Sequence, residues 1–280
     1  MKLLFTGASG FLGSNVRPLL EGMYGVKTVG LSPKDDYTID IAKEIPVLRE
    51  RYDIVLHVAG KAHSVPKTEA ERQVFFDVNL QGTKNLCTAL ERRRVPRAFI
   101  FISTVAVYGC AYGENITEDH PLNGATPYAM SKRLAEEYLQ KWCYEHNVIL
   151  GIIRPSLIAG PNPPGNLGAM IHGIRSGKYL SIAGGQARKS VLMVQDIAKL
   201  VSLLAEKGGI YNVCDSHHPT FRELETTICR QLDKKLPLSI PYWVAKCMAL
   251  AGDCLGRKAP INSLKLDKIT KSLTFSNEKA

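Results

Sequence analysis

A short apolar run, Lys2-Leu3-Leu4-Phe5, leads into Thr6-Gly7-Ala8-Ser9-Gly10-Phe11-Leu12-Gly13 and then into a helical pattern reaching Leu20. Few features restrict a fold more. Strand, glycine turn and helix in that order aim several backbone N–H groups at one spot, the geometry that holds a pyrophosphate. One glycine permits the tight turn, one lets phosphates approach the backbone, and one lets helix and strand pack closely. The spacing is G-x-x-G-x-x-G, one residue longer in its first gap than the common G-x-G-x-x-G. It opens a chain of alternating strand and helix patterns, which predicts an α/β fold around a parallel sheet.

The next strand, Val26 to Leu31, ends in Gly30-Leu31-Ser32-Pro33-Lys34, without the carboxylate that would hold ribose hydroxyls in such a unit. Ser32 and Lys34 could instead accept a 2′-phosphate, tilting the cofactor slightly towards NADP; Asp35 and Asp36 follow closely and keep the tilt small. Asp40, before Ile41, could meet an adenine amino group, or simply cap a helix over 41–50. Residues 53–58 form a predicted buried strand followed by small residues, Val58-Ala59-Gly60, that permit close approach by a dinucleotide. Lys61 and His63 could face the site, though each alone also suits a surface. A helix is predicted over 70–93, carrying Asn79 and a basic C-terminal turn.

Ala98 to Ser103 reads as another strand, continuing into Thr104-Val-Ala-Val-Tyr108, so hydroxyls tip its carboxyl end. One crossover later, Pro127 opens a helix to about His146 with Tyr128 and Lys132 four apart on one face. A phenol beside a cation is suited to moving a proton on and off an alcohol or ketone. Tyr242 and Lys246 share that spacing but lie far beyond the sheet, in what reads as a short packed apolar helix over 241–251. Further predicted elements are a strand at 149–154, a rigid Pro/Gly loop at 160–166, helices at 168–176, 196–206 and 220–232, and a strand at 210–213. Thr220-Phe-Arg-Glu223 is a capping box.

Composition excludes several classes. At 280 residues, with 45% hydrophobic and 22% charged, the chain suits one large globular domain or one domain plus a completing lobe. No stretch is long and apolar enough to span a membrane, and the N-terminal apolar run is too short for a signal peptide. Seven cysteines without a Cys-x-x-Cys suit buried thiols in a reducing cytoplasm rather than a disulfide or metal framework. The net charge of +10 is lopsided: residues 1–150 hold 18 Lys/Arg against 17 Asp/Glu, residues 151–280 hold 18 against 9. An anionic partner in the second half is expected, and a small phosphorylated ligand fits better than nucleic acid, because aromatic-basic interleaving is missing. A plain solvated basic surface explains the charge about as well.

In their order these stretches resemble the extended short-chain dehydrogenase/reductases, in the branch of NAD(P)-dependent nucleotide-sugar epimerases, dehydratases and 4-ketoreductases. The matching residues are Thr6-Gly7-x-x-Gly10-x-x-Gly13, His57-Val-Ala-Gly60, Asn79, Ser103-Thr104 with Tyr108-Gly109, Tyr128-x-x-x-Lys132, Arg154-Pro155 and Gly160-Pro161. The resemblance implies a Rossmann-type doubly wound parallel sheet in residues 1–160, with returns at about 190–213. A smaller mixed α/β substrate-binding lobe would occupy mainly 161–280. It implies Tyr128 as acid/base, Lys132 lowering its pKa and holding the nicotinamide ribose, and Thr104 bonding the reacting oxygen, with Ser103 as runner-up. Gly7, Ser9, Gly10, Phe11, Leu12 and Gly13 would cradle the pyrophosphate, Asp40 and Ile41 would flank adenine, and Asn79 and Pro155 would complete the cofactor site. Asn166, Leu167 and Lys189 would meet the diphosphate of a sugar nucleotide, with Lys61 and His63 beside the sugar as in enzymes of capsule and O-antigen sugars.

Hydride transfer at C4, by a 4-ketoreductase or a 4-epimerase, is therefore expected in surface-polysaccharide precursor synthesis. A dehydratase would need acidic residues where Val105 and Ala106 stand. The alternative from another class is a non-catalytic dinucleotide-binding sensor or scaffold, which would not need to retain Tyr128 and Lys132. The resemblance also implies a homodimer through the helices bearing Asn79 and Tyr128, and a C-terminal segment that normally continues beyond Ala280.

Overall fold

A computed structural model describes residues 1–62, 64–255 and 261–280. Strand β1 (Lys2–Thr6) lies inside a seven-stranded, all-parallel sheet, third from one edge. The chain runs outward through β2 (Gly25–Gly30) and β3 (Tyr37–Thr38), then crosses back to β4 (Ile54–His57) and β5 (Ala98–Ile102) on the other side of β1. After β6 (Gly113–Ile116), which lies outside this sheet, β7 (Ile149–Pro155) pairs with β5. The last strand of the sheet, Gly209–Val213, pairs with β7. Strand order reverses between β1 and β4, and a ligand crevice belongs at the carboxyl ends there.

Period-two alternation in buried strands sorts the core into two layers. Leu3 and Phe5 of β1 face one layer with Leu56 and Ile100, against α1 (Phe11–Glu21) and the helix Asp196–Lys207. Leu4, Val55, Phe99 and Phe101 face the other, against a helical stretch starting at Glu69 and the helix Pro127–Glu145. Each fully buried Leu, Ile or Phe contributes roughly 1.5–3 kcal/mol, which is why strands covered on both faces read as unbroken apolar runs.

The sequence expectations hold for the sheet and most helices, with four differences. Residues 41–50 form turns, not a helix: Asp40 closes a turn through Ala42 N–H at 3.1 Å, and Pro46 would remove a donor from a helix interior. The predicted helix 70–93 is three pieces: α2 (Glu69–Phe76), a π-helical turn Asp77–Gln81, and α3 (Gly82–Arg93). Beyond Ser103 the strand does not continue, because Thr104 caps a 3₁₀ turn, Val105–Tyr108, that ends in left-handed Gly109 (φ 74°). Residues 113–116, where the sequence predicted no element, pair as β6 with a C-terminal strand at Leu273–Phe275.

After α4 (Pro127–Glu145), strands β8 (Leu157–Ala159), β9 (Ser181–Ile182), β10 (Val191–Met193), β11 (Gly209–Val213) and β12 (Ser239–Ile240) follow in chain order, and β13 (Leu273–Phe275) closes the set. Helix α5 (Gly165–Arg175), three residues longer at its start than expected, packs through Leu167, Met170 and Ile174 on Ile228 and Cys229 of a helix at Phe221–Leu232. With α6 (Asp196–Lys207) and α7 (Phe221–Leu232) so placed, α8 (Tyr242–Leu255) and α9 (Ser263–Thr270) pack together near the C-terminus.

Candidate active site

The turn after β1 has no room for side chains. A Cβ on Gly13 would lie 2.2 Å from Gly7 O, and one on Gly7 (φ 74°) 2.6 Å from Ala59 N. Gly10 is the N-cap of α1 with no side-chain cap and no acidic residue in the first turn, so the helix opens with unclaimed N–H donors. Ser9 and Gly10 are exposed at this mouth, Phe11 is half-buried beside Gly160, and Leu12 belongs to the core. A cradle that backbone alone can line, at the start of an uncapped helix, fits a dinucleotide pyrophosphate.

His57 ties the carboxyl ends of β1 and β4 to the helix behind them. Its Nδ1 lies 2.6 Å from Thr6 Oγ1 and its Nε2 2.9 Å from Thr83 Oγ1. Thr83 donates to Asn79 O, while Thr6 Oγ1 accepts from Val58 N and Ala59 N. Counting donors leaves one arrangement: Nε2–H donates to Thr83, and Nδ1 accepts from Thr6. Burial, then the charge of Lys132, holds the imidazole pKa down at about 3, consistent with this neutral form.

The π-helical turn delivers Asn79. Its Oδ1 accepts from Lys61 N at 2.7 Å, and its Nδ2 donates to Lys61 O and to Ser131 Oγ on α4 at 2.8 Å. A Cβ on Gly60 would lie 3.0 Å from Asn79 Oδ1 and 3.1 Å from Lys132 Nζ. Gly60, Asn79 and Lys132 thus converge at the end of β4. The Lys132 ammonium sits 4.6 Å above the Phe101 ring and spends one donor on Ile102 O at 2.8 Å. Burial lowers its pKa to about 8, against the opposing pull of Glu136.

Tyr128 heads the same helix, whose Thr126 cap accepts from Ala129 N. Its ring meets Phe75 edge-on at 6.4 Å, and its hydroxyl interacts with Thr104. Burial raises the phenol pKa and the neighbouring Thr104 side chain opposes that rise. Thr104 Oγ1 accepts from Ala106 N at 3.1 Å, the contact that starts the 3₁₀ turn. Val105 and Ala106 form that turn and supply no acid or base.

Ser103 points elsewhere. Its Oγ bonds Glu136, whose carboxylate also receives Arg154 Nη2 at 2.6 Å and Nε at 3.1 Å, all buried. Arg154 continues to Tyr108 OH at 2.9 Å, and Tyr108 donates to Asn212 Oδ1 at 2.6 Å. Sequence reasoning singled out neither Glu136 nor this chain of contacts. The available signal was spacing, since Glu136 is one further turn along the Tyr128–Lys132 face.

The remaining candidates are spread out. Ser32 Oγ accepts from Lys34 N at 3.2 Å, while Ser32 N–H donates to Asp35 at 3.0 Å; a Cβ on Gly30 would lie 2.5 Å from that carboxylate. Lys34 is exposed. Asp40 is partly buried, and Ile41 packs against Gly82 with its carbonyl held by Asn85. Pro155 is buried at the end of β7. Lys61 and Asn166 are exposed, whereas Leu167 is a core residue of the lobe. Lys189 Nζ donates to Lys271 O at 3.0 Å, and burial with the nearby Lys268 lowers its pKa to about 8. His63 lies outside the described residues.

A family model described as NAD dependent epimerase/dehydratase family matches residues 3–214. The chain belongs to that family. It is similar to an N-acetyl-alpha-D-glucosaminyl-diphospho-ditrans,octacis-undecaprenol 4-epimerase of Escherichia coli O157:H7, 27% identical over 99% of this chain and 88% of the relative. It resembles the fold of a UDP-glucose 4-epimerase with UDP-glucose from Thermotoga maritima, at 22% identity and TM-score 0.74, covering 100% of this chain and 91% of that one. RMD from Pseudomonas aeruginosa, complexed with NADPH, is 25% identical at TM-score 0.70 over 86% and 87% of the two chains. As an epimerase/dehydratase family member the chain is an NAD(P)-dependent enzyme, acting by hydride transfer on activated sugars.

Proposed function

We propose that this chain interconverts or reduces the C4 position of a nucleotide-diphosphate sugar, with Tyr128 as acid/base, as a step towards surface polysaccharide. The observation that carries the reading is convergence: Tyr128 with Thr104, and Lys132 with Asn79 and Gly60, around the carboxyl ends of β4 and β5. A bound nicotinamide supplies hydride acceptance and return. The chain's own groups do the rest. The half-buried phenol gives or takes the C4 oxygen's proton, Thr104 orients that oxygen, and Lys132 holds positive charge near the ribose while Asn79 fixes the helix behind it. Gly7, Gly10 and Gly13 with the start of α1 hold the pyrophosphate. Residues 161–280 form most of the sugar-nucleotide lobe, with Asn166 and Lys189 as diphosphate contacts and Lys61 towards the sugar.

Ser32 and Lys34 support a narrow preference for NADP(H); Asp35, held against Gly30, would repel a 2′-phosphate and keeps the margin narrow. The seven cysteines are all free thiols, which supports work in a reducing cytoplasm. A homodimer through α2, α3 and α4 would be read out as twice the chain mass by light scattering.

Incubation with UDP-, GDP- and dTDP-sugars and their 4-keto-6-deoxy forms separates the two chemistries. Stoichiometric NAD(P)H consumption identifies a reductase, and interconversion without net consumption an epimerase. Tyr128→Phe should lower kcat by about 10²–10⁴ while leaving cofactor affinity nearly unchanged. Undiminished turnover in that variant overturns the assignment.

A further inference from the structure

Helix α8 is packed the wrong way round for a water-facing helix. It turns Ala245 and Ala249 into the protein, against Ile182 and Leu266, and turns Trp243, Leu250 and Cys247 outward. Trp243 is 69% exposed and Leu250 54%. Positions 243, 247, 250 and 254 follow the i, i+4, i+7, i+11 spacing of one helical stripe, so the bulky apolar residues form a continuous outer face. The residue before β12 adds Leu238, 78% exposed, and Tyr242 stands beside Trp243 at the helix start. Apolar residues grouped this way mark an interaction surface.

Charge says which kind. From residue 234 to the end of α8 there are three lysines, Lys234, Lys235 and Lys246, against one carboxylate, Asp253, which is held by Ser263, within a half of the chain that carries nine excess positive charges. All three lysines are exposed. A two-fold contact between copies would press this lysine-bearing face against itself, like charge towards like charge. An anionic lipid surface meets both features at once. It takes lysine ammoniums at its headgroups and Trp, Tyr and Leu below them. The helix has 14 residues, about 21 Å at 1.5 Å each, and no described helix is long and apolar enough to cross a membrane, so α8 would lie in the plane of the surface.

We propose that the α8 face docks this enzyme peripherally on an anionic bilayer. The proposal goes beyond the C4 chemistry and does not depend on it. Docking would suit a sugar carried on a lipid diphosphate, whereas free sugar nucleotides need no such contact.

The full chain is sedimented with vesicles of phosphatidylcholine and phosphatidylglycerol in equal parts, and with vesicles of phosphatidylcholine alone. Binding is expected to the anionic vesicles, to weaken with salt, and to shift Trp243 emission to the blue; Trp142 is buried and supplies a constant background. The double variant Trp243→Asp, Leu250→Asp touches only outward positions and should keep wild-type circular dichroism and thermal midpoint. It should lose anionic-vesicle partitioning by about tenfold or more, because two apolar anchors become charges of the repelled sign. Failure of the wild-type chain to bind anionic vesicles overturns the proposal, as does equal binding by the folded variant. Sedimentation equilibrium showing a wild-type dimer that the variant abolishes, with no vesicle binding, would reassign the face to self-association.

Discussion

Replacing Glu136 by Gln tests whether the buried network beneath the reacting groups sets both stability and proton affinity. Glu136 receives Ser103 Oγ and two Arg154 nitrogens, at 3.1 and 2.6 Å, with both charged side chains at most 4% exposed. A Gln keeps the volume but removes the charge, and its amide group confronts guanidinium N–H donors with further donors. Arg154 would retain its bond to Tyr108 and its place 5.1 Å over that ring, but its buried charge would be uncompensated. Breaking one side of a buried pair costs about 3–5 kcal/mol. With 280 residues at ~2.1 cal/mol/K each, the unfolding entropy is ~0.6 kcal/mol/K, so the midpoint should fall roughly 5–8 °C. Glu136 is also the group that raises the Lys132 pKa against burial, so its loss should move that pKa below about 8. Thermal denaturation by circular dichroism reads the first effect, and the pH profile of kcat, its Lys132 limb displaced to lower pH, reads the second. The double variant Glu136→Met, Arg154→Met should recover much of the midpoint, since neither charge is then stranded. A Gln variant with an unmoved midpoint and an unmoved profile would refute the reasoning.

Three more outcomes follow from the geometry. His57 is neutral in the fold with a pKa of about 3 against 6.5 unfolded, so its contribution is complete above pH 6.5 and drains away as pH falls towards 3. About 3 kcal/mol should be lost between pH 7 and pH 4 in urea titrations, and His57→Gln should flatten that slope. A Cβ at Gly10 has nothing nearer than 3.4 Å, whereas one at Gly13 meets backbone at 2.2 Å. Gly10→Ala should therefore fold normally yet bind NAD(P) at least about tenfold more weakly in fluorescence titration, while Gly13→Ala should also lower the thermal midpoint. Asp35→Asn should raise the ratio of NADP to NAD affinity and Lys34→Ala should lower it, both measured by calorimetry; no change in either would remove the β2 loop from cofactor selection.

Much was legible in the chain before any fold was known. Glycines at 7, 10 and 13 have one common use after a strand, and Tyr128 and Lys132 must share a helix face, because both inferences depend on local backbone geometry alone. The unbroken apolar runs at β1, β4 and β5 announce strands covered on both sides for the same reason. Local patterns failed where a neighbour outvoted them. The helix expected at 41–50 is stopped by Pro46 in favour of Asp40 turns, and the 70–93 helix bulges into a π turn where Asn79 must reach both Lys61 and Ser131.

Tertiary structure decided what each of two neighbouring hydroxyls touches. The resemblance put Thr104 first and Ser103 second for the reacting oxygen; in the fold Ser103 Oγ is spent on Glu136 while Thr104 lies by Tyr128. The Glu136–Arg154 pair, 18 residues apart, and the Tyr108–Asn212 bond, 104 apart, join elements whose proximity no local pattern encodes. The outward stripe of α8 belongs to this class too. Its apolar residues are visible in the sequence, but which side the protein covers depends on packing against Ile182 and Leu266. Short-range sterics and periodicity are written into consecutive residues, whereas long-range pairings exist only once the sheet has brought distant segments together.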